Sequence, residues 1–362
     1  MLIDTAAHLQ TALDALSASP WLTVDTEFVR EETYWPQLCL IQVGDGRSEW
    51  AFDAVRLPDL GPLLALLQNP AVPKVFHAAS QDLEIFVRLS GRAPTPFFDT
   101  QLAASLLGLG DQLGYAGLVE KRLGLKLDKS LSRTDWSRRP LSAAELAYAE
   151  DDVRHLAAMY PALREALAER GRLGWLEEDC ARLSQAERYQ VQPESAWERL
   201  KGIGRLPAPA QHVAAALAAW RERLAESRNR PRKWILADDA LYRIAERQPN
   251  SLEQLAALQM LPPKTVERQG PALLQVVAES RGSGEPPLSL DGELDERQKA
   301  RIQRLAQRNR EIATELGIPP SLLAPRADLE ALALDREAAD VPLLQGWRRQ
   351  VAGDALLALA SD

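Results

Sequence analysis

The segment Leu22-Thr23-Val24-Asp25-Thr26-Glu27-Phe28 restricts what this chain can fold into more than any other. It is apolar and β-branched enough to be a strand of a buried sheet, yet it carries two acids at i and i+2. Side chains two apart on a strand project from one face, so Asp25 and Glu27 stand together. Two like charges in a buried layer are costly unless a cation lies between them or water reaches them. The strand is therefore either a wet sheet edge or the floor of a cation-holding cleft, and the motif alone leaves both open.

Strand and helix patterns alternate around it, as in a layered α/β domain. Leu38–Val43 (LCLIQV), Glu49–Asp53 (EWAFD) and Lys74–His77 (KVFH) are predicted strands. Helices are predicted over 60–68, 81–89 with Ser80 as N-cap, 99–107, 115–123 and a long stretch from Ser142 to about Arg170. Residues 1–190 thus form a mixed sheet flanked by helices. After Pro193 the strand signal ends. A linker at 191–208 leads to amphipathic runs at 210–227, 238–247, 251–258 and 262–280, an all-α bundle spanning 209–285. The breaker Arg281–Pro287 (RGSGEPP) marks a second linker, and the helical remainder forms a second bundle within 286–362. The runs Arg268–Leu274 and Gln350–Leu357 are alike, which fits either a duplicated module or two independent bundles.

Three further residues bear on the acids of the strand. Asp82 lies in the first turn of a helix that follows a strand, where it either favours the helix dipole or stands near the strand ends. Tyr148 and Asp152 are four apart on the long helix and share one face, while Glu150 and Asp151 project elsewhere. An acidic solvent face would account for that pair equally well in isolation. Jointly, four carboxylates and one phenol occur on three elements of one domain.

In that order, Asp25/Glu27, Asp82 and Tyr148/Asp152 resemble the three motifs of the DEDD exonucleases, which have a ribonuclease H-like fold, in their tyrosine subclass. The stretch Ser132–Leu141 (SRTDWSRRPL) resembles the ribonuclease D family within that group, and the two bundles resemble HRDC domains. The resemblance spans essentially the whole chain. It implies a 3′→5′ exoribonuclease that releases 5′-monophosphates, with transfer RNA precursors as substrate. Asp25, Glu27, Asp82 and Asp152 would hold two Mg²⁺ or Mn²⁺ ions, Asp25 bridging them, and Tyr148 would orient the attacking water. The same site could trim DNA. A non-catalytic RNA-binding scaffold is the reading from another class, and the presence of all four carboxylates and the tyrosine speaks against it.

A net charge of −8 would disfavour a nucleic-acid partner if it were spread evenly. It is not: residues 1–190 carry −8, residues 191–285 carry +3 and residues 286–362 carry −3. The stretch Trp220–Trp234 holds six basic and two acidic residues. Arg221, Arg223, Arg228, Arg230, Arg232 and Lys233 are expected to form a phosphate-binding surface, with both tryptophan rings in the bundle core. Arg138 and Arg139, near the catalytic motifs, are further candidates for the RNA backbone. The turn Lys201–Arg205 (KGIGR) reads as an interdomain turn or an anion-binding one.

Other chemistries lack their residues. His8, His77, His155 and His212 form no HExxH, and Cys39 and Cys180 match no zinc or disulfide spacing, so both are expected to be core thiols in the cytoplasm. No phosphate-binding GxxxxGK[ST] occurs, so no nucleotide cofactor is expected. No apolar run approaches the roughly 18 residues of a membrane span, and residues 1–21 lack the pattern of a secretory signal. A monomer is expected.

Overall fold

The computed structural model of the chain describes residues 1–128, 130–131, 134–281 and 294–361. Ser132 and Arg133 of the SRTDWSRRPL stretch, and Gly282–Pro287 of the expected linker, lie outside the described residues. The chain forms two compact units. One comprises residues 1–29, 38–189 and 294–361, the other residues 30–37 and 190–281.

The first unit is built on a six-stranded mixed sheet of order β1-β4-β3-β2-β5-β6. Its strands are β1 (Leu2–Ile3), β2 (Leu22–Val29), β3 (Gln37–Gly44), β4 (Glu49–Asp53), β5 (Lys74–Phe76) and β6 (Phe97–Asp99). β4 pairs parallel with β1 and antiparallel with β3, whereas β5 pairs parallel with both β2 and β6. The helices are α1 (Ala6–Ser17), α2 (Gly61–Leu67), α3 (Ser80–Ser90), α4 (Thr100–Leu106), α5 (Tyr115–Leu123), α6 (Ala143–Glu169) and α7 (Leu173–Leu183). β2 is a central strand, not a wet edge, which removes the first of the two readings of its acids.

β4 and α5 begin and end where the sequence pattern places them. β1, α1 and β6 were not anticipated, although α1 buries Leu9, Ala12, Leu13 and Leu16 on one stripe and is capped by Thr5. Ser80 is not the N-cap of α3. Ala79 occupies that position without a side-chain cap. The turn is instead held by Asp99, whose carboxylate accepts from Ala78 N at 3.2 Å and Ala79 N at 2.9 Å while it caps α4 through Gln101 N at 2.8 Å. A single acid thereby fixes the start of two helices. α6 starts with a capping box, Ser142 with Glu145.

Arg139 is committed to the interior, contrary to its expected role at the RNA backbone. Its guanidinium grips Asp53, a fully buried carboxylate, through Nε and Nη2 at 2.7 Å each, and also donates to Cys39 O at 2.8 Å and Trp136 O at 2.6 Å. These bonds pin residues 136–140 onto β3 and β4.

The helices α13 (Glu296–Leu316), α14 (Pro320–Leu323), α15 (Arg326–Asp335), α16 (Gly346–Arg348) and α17 (Asp354–Ser361) belong to the first unit as well. Their apolar residues join one continuous core with those of the sheet and its helices. Trp347 stacks on Trp175 of α7 at 4.4 Å, and Arg348 forms a buried ion pair with Asp179.

In the second unit, α8 (Ala208–Arg228), α9 (Arg232–Ile235), α10 (Asp238–Arg247), α11 (Leu252–Ala257) and α12 (Pro263–Ser280) enclose a separate core that includes Val213, Leu217, Leu241, Ile244 and Leu273. Residues 30–37 belong to it: Tyr34 is buried against Ala225 and Ile235 and donates its hydroxyl to Glu222. The turn Lys201–Arg205 places Gly202 at φ +90° ahead of a short 3-10 turn over Ile203–Arg205.

Candidate active site

Strand alternation and helix periodicity converge on one cleft. Asp25 and Glu27 leave β2 on the face covered by α6, and Asp152 meets them from that helix. One carboxylate oxygen from each of the three lies within 4.8 Å of the others. The cleft has a volume of about 190 Å³ and is lined by these acids, Thr26, His77, Tyr115, Tyr148 and Leu156. Tyr148, Asp152 and Leu156 recur every four residues, so the shared helix face expected for Tyr148 and Asp152 is present. Glu150 and Asp151 turn away, to the terminal ammonium of Met1 and to Arg154 respectively.

Asp82 enters from the first turn of α3 and is buried, but it stands outside the three-carboxylate cluster. Thr26, whose side chain alternates with those of Asp25 and Glu27, donates its hydroxyl to Asp82 Oδ1. Asp82 still feels the cluster: burial first, then the charge of Asp25, hold its carboxyl well above the ordinary range.

The other three acids are shifted in the same direction. Burial raises Asp25 to about 6 against the backbone N–H of Thr26. Glu27 is pushed up to about 10 by burial and then by Asp25, Asp152 and Asp82. Asp152 reaches about 9 through burial, Asp25 and Asp151. Four acids that all resist ionisation together are what a site looks like when its own residues supply no counter-charge. The donor set is all oxygen, which suits a small, hard divalent cation and not zinc or copper.

Two aromatic residues shape the walls. Tyr148 packs beside Trp136 with ring centroids 6.1 Å apart, so Trp136 backs the tyrosine. Its phenol lies above the usual range because of burial, then Asp152, Glu27 and Asp25. Tyr115 was not singled out from sequence. Its hydroxyl donates to the backbone carbonyl of Asp152, and its ring meets His77 edge-on at 5.4 Å. His77 in turn contacts Thr100 Oγ1 through Nδ1 at 2.9 Å. Nothing in the local pattern at Tyr115 separates it from an ordinary amphipathic aromatic.

The basic residues divide sharply. Arg221 is buried and pairs with Asp238 at 2.7 Å, and Arg232 is spent on Glu222 while lying over the Tyr34 ring at 4.6 Å. Neither offers a guanidinium to a phosphate, which corrects the expectation for both. Arg223 pairs with Glu194 and Lys233 with Asp238, but at exposed positions. Arg228 and Arg230 are exposed, and Arg138 pairs with Glu145 with its side chain 61% exposed. Trp220 packs against the core, but Trp234 is 59% exposed, with Arg230 5.9 Å from its ring centre. The tryptophans therefore do not share the fate expected for them.

A mixed sheet carrying a cleft of acids from β2, α3 and α6 beside a tyrosine defines a 3′-5′ exonuclease, and residues 1–168 match the sequence model of the 3′-5′ exonuclease family. Residues 210–277 match the HRDC domain. The chain is 42% identical to ribonuclease D of Gluconacetobacter diazotrophicus, covering 99% of this chain and 92% of that protein. It is 40% identical to ribonuclease D of Pseudomonas paraeruginosa over 93% and 91% of the two chains. The crystal structure of Escherichia coli RNase D superposes with a TM-score of 0.90 at 30% identity, covering 100% of this chain and 98% of that one. The chain belongs to the ribonuclease D family and is an enzyme of that type.

Proposed function

We propose that this enzyme hydrolyses RNA from its 3′ end to 5′-monophosphates, using two Mg²⁺ or Mn²⁺ ions that Asp25, Glu27, Asp82 and Asp152 would hold. The observation that carries this reading is the meeting of three carboxylate oxygens within 4.8 Å in a cleft that also holds Tyr148. Bound there, divalent cations supply a hydroxide nucleophile at neutral pH and offset charge on the scissile phosphate and the leaving 3′ oxygen. The protein supplies the rest. Tyr115 fixes the backbone of α6 at Asp152, and Thr26 holds Asp82. An ordinary phenol is protonated at neutral pH, so Tyr148 orients the attacking water by hydrogen bonding instead of removing its proton.

The exposed Arg223, Arg228, Arg230 and Lys233 in the HRDC region, with Arg138 near the catalytic cleft, are proposed to draw in the phosphate backbone. Transfer RNA precursors are the substrates that the family implies. Two buried cysteines, neither of them in a disulfide, suit the reducing cytoplasm. No helix of the described residues is long and apolar enough to cross a membrane.

Digestion of 5′-labelled and 3′-labelled RNA and DNA of one sequence, with and without EDTA, tests polarity, sugar preference and metal dependence together. Asp25→Asn is expected to abolish digestion and leave RNA binding intact; a fully active variant would refute the site.

A further inference from the structure

Gln42 is a polar side chain inside the catalytic sheet whose hydrogen-bonding capacity is wholly unused. It is 0% exposed, and neither amide atom, Nε2 nor Oε1, has a partner. Its place relative to the acids follows from β2 and β3, which are neighbours. Thr23 Oγ1 donates to Gly44 O at 3.3 Å, and a Cβ on Gly44 would stand 2.6 Å from that hydroxyl and 3.5 Å from Val153 of α6. At the other end, the backbone of Val29 hydrogen-bonds the Cys39 thiol. The start of β2 thus lies against the end of β3, so the two run antiparallel with Thr23 facing Gly44. Counting by twos along each strand places Asp25 opposite Gln42 and Glu27 opposite Leu40, on the face covered by α6. Leu40 does cluster there with Ala149 and Tyr148.

Directly opposed residues on one face have Cβ atoms about 5 Å apart, within reach of a glutamine amide after a rotamer change. Asp25 also lacks a partner of this kind: its carboxylate accepts from the backbone of Thr26, and among the described residues no side chain donates to it. A methionine would fill the same space beside Leu40 on that face without an unpaired amide. Carboxylates that hold cations are usually oriented by a hydrogen bond from behind.

We propose that Gln42 is a positioning residue for Asp25, its Nε2–H group holding that carboxylate in the orientation that receives the divalent cations. The inference rests on the proposed metal-binding role of Asp25. In the metal-free protein the amide is unpaired and destabilising; in the loaded protein it has its acceptor.

The test compares Gln42→Met with the wild type and with Asp25→Asn, measuring Mn²⁺ affinity by calorimetry, kcat and KM on a short RNA at saturating Mn²⁺, and the melting temperature in EDTA. Gln42→Met is expected to weaken Mn²⁺ binding on the order of 10-fold or more, to lower kcat with KM unchanged, and to melt in EDTA at or above the wild-type temperature. Unchanged Mn²⁺ affinity and kcat, or a lower melting temperature in EDTA, would overturn the proposal, because the amide would then be a packing residue. Asp25→Asn separates the two claims: Mn²⁺ binding that survives it undoes the metal site itself, whatever Gln42 does. Should Gln42→Met fail to fold, Gln42→Leu takes its place in the same measurements.

Discussion

Loading the cleft with metal should expel protons, and their number is set by the shifted acids. At pH 7 the metal-free protein keeps Glu27 and Asp152 protonated, since they titrate at about 10 and about 9, while Asp25, at about 6, is mostly ionised. Asp82 is shifted the same way as Glu27 and Asp152. Cations bind carboxylates, not carboxylic acids, so saturation should release roughly two to three protons per chain. These protons belong to the cluster as a whole, because its members titrate together. Each proton displaced multiplies the overall binding constant of the loaded cluster by about ten per pH unit, so that constant should rise roughly 100- to 1,000-fold from pH 6.5 to 7.5. Calorimetric titrations at pH 7 in buffers of different ionisation enthalpy measure the release directly. Asp152→Asn should remove about one proton from the count. A release near zero, with affinity independent of pH, would refute the claim that the fold holds these acids neutral.

Glu27→Gln should stabilise the metal-free protein at pH 8. The folded pKa of Glu27 lies above its unfolded value, so its contribution is fully present below about pH 4 and is lost as pH rises toward about 10; a glutamine carries no such loss. Urea unfolding in EDTA should show a gain on the order of 2 kcal/mol that vanishes near pH 4, and a gain independent of pH would count against this cause. Arg139→Met leaves Asp53 buried with only the backbone N–H groups of Val55 and Arg56, and should cost about 3 kcal/mol or more in the same assay; a loss below about 1 kcal/mol would mean that the pair contributes little. Trp234→Ala should weaken binding of single-stranded RNA by about 1 to 3 kcal/mol with the salt dependence unchanged, whereas Arg228→Gln with Arg230→Gln should flatten that dependence by fluorescence anisotropy. A slope unaltered by the arginine changes would place the phosphate contacts elsewhere.

Much of the architecture was legible where local pattern dominates. The strands of β2 and β4 and the helices α5 and α10 follow directly from alternation, periodicity and breakers. β6 is three residues long and is a strand only because β5 pairs with it, so no window of sequence could announce it. Neighbouring residues of one type met opposite fates for the same reason. Arg138 points to solvent and Arg139 is buried on Asp53, 86 residues away in sequence. Trp220 packs inward, and Trp234, at the far end of the same basic run, lies open.

By itself the sequence determined which side chains share a face: Asp25 with Glu27 by the two-residue repeat of a strand, Tyr148 with Asp152 by the turn of a helix. These are short-range consequences of backbone geometry. Only the tertiary structure decided that three acids from β2 and α6 meet, that Thr26 holds Asp82, that burial raises the pKa of each of these acids, and which arginines are consumed by internal ion pairs. Desolvation and charge pairing depend on what else arrives at a place, and residues remote in the chain supply it.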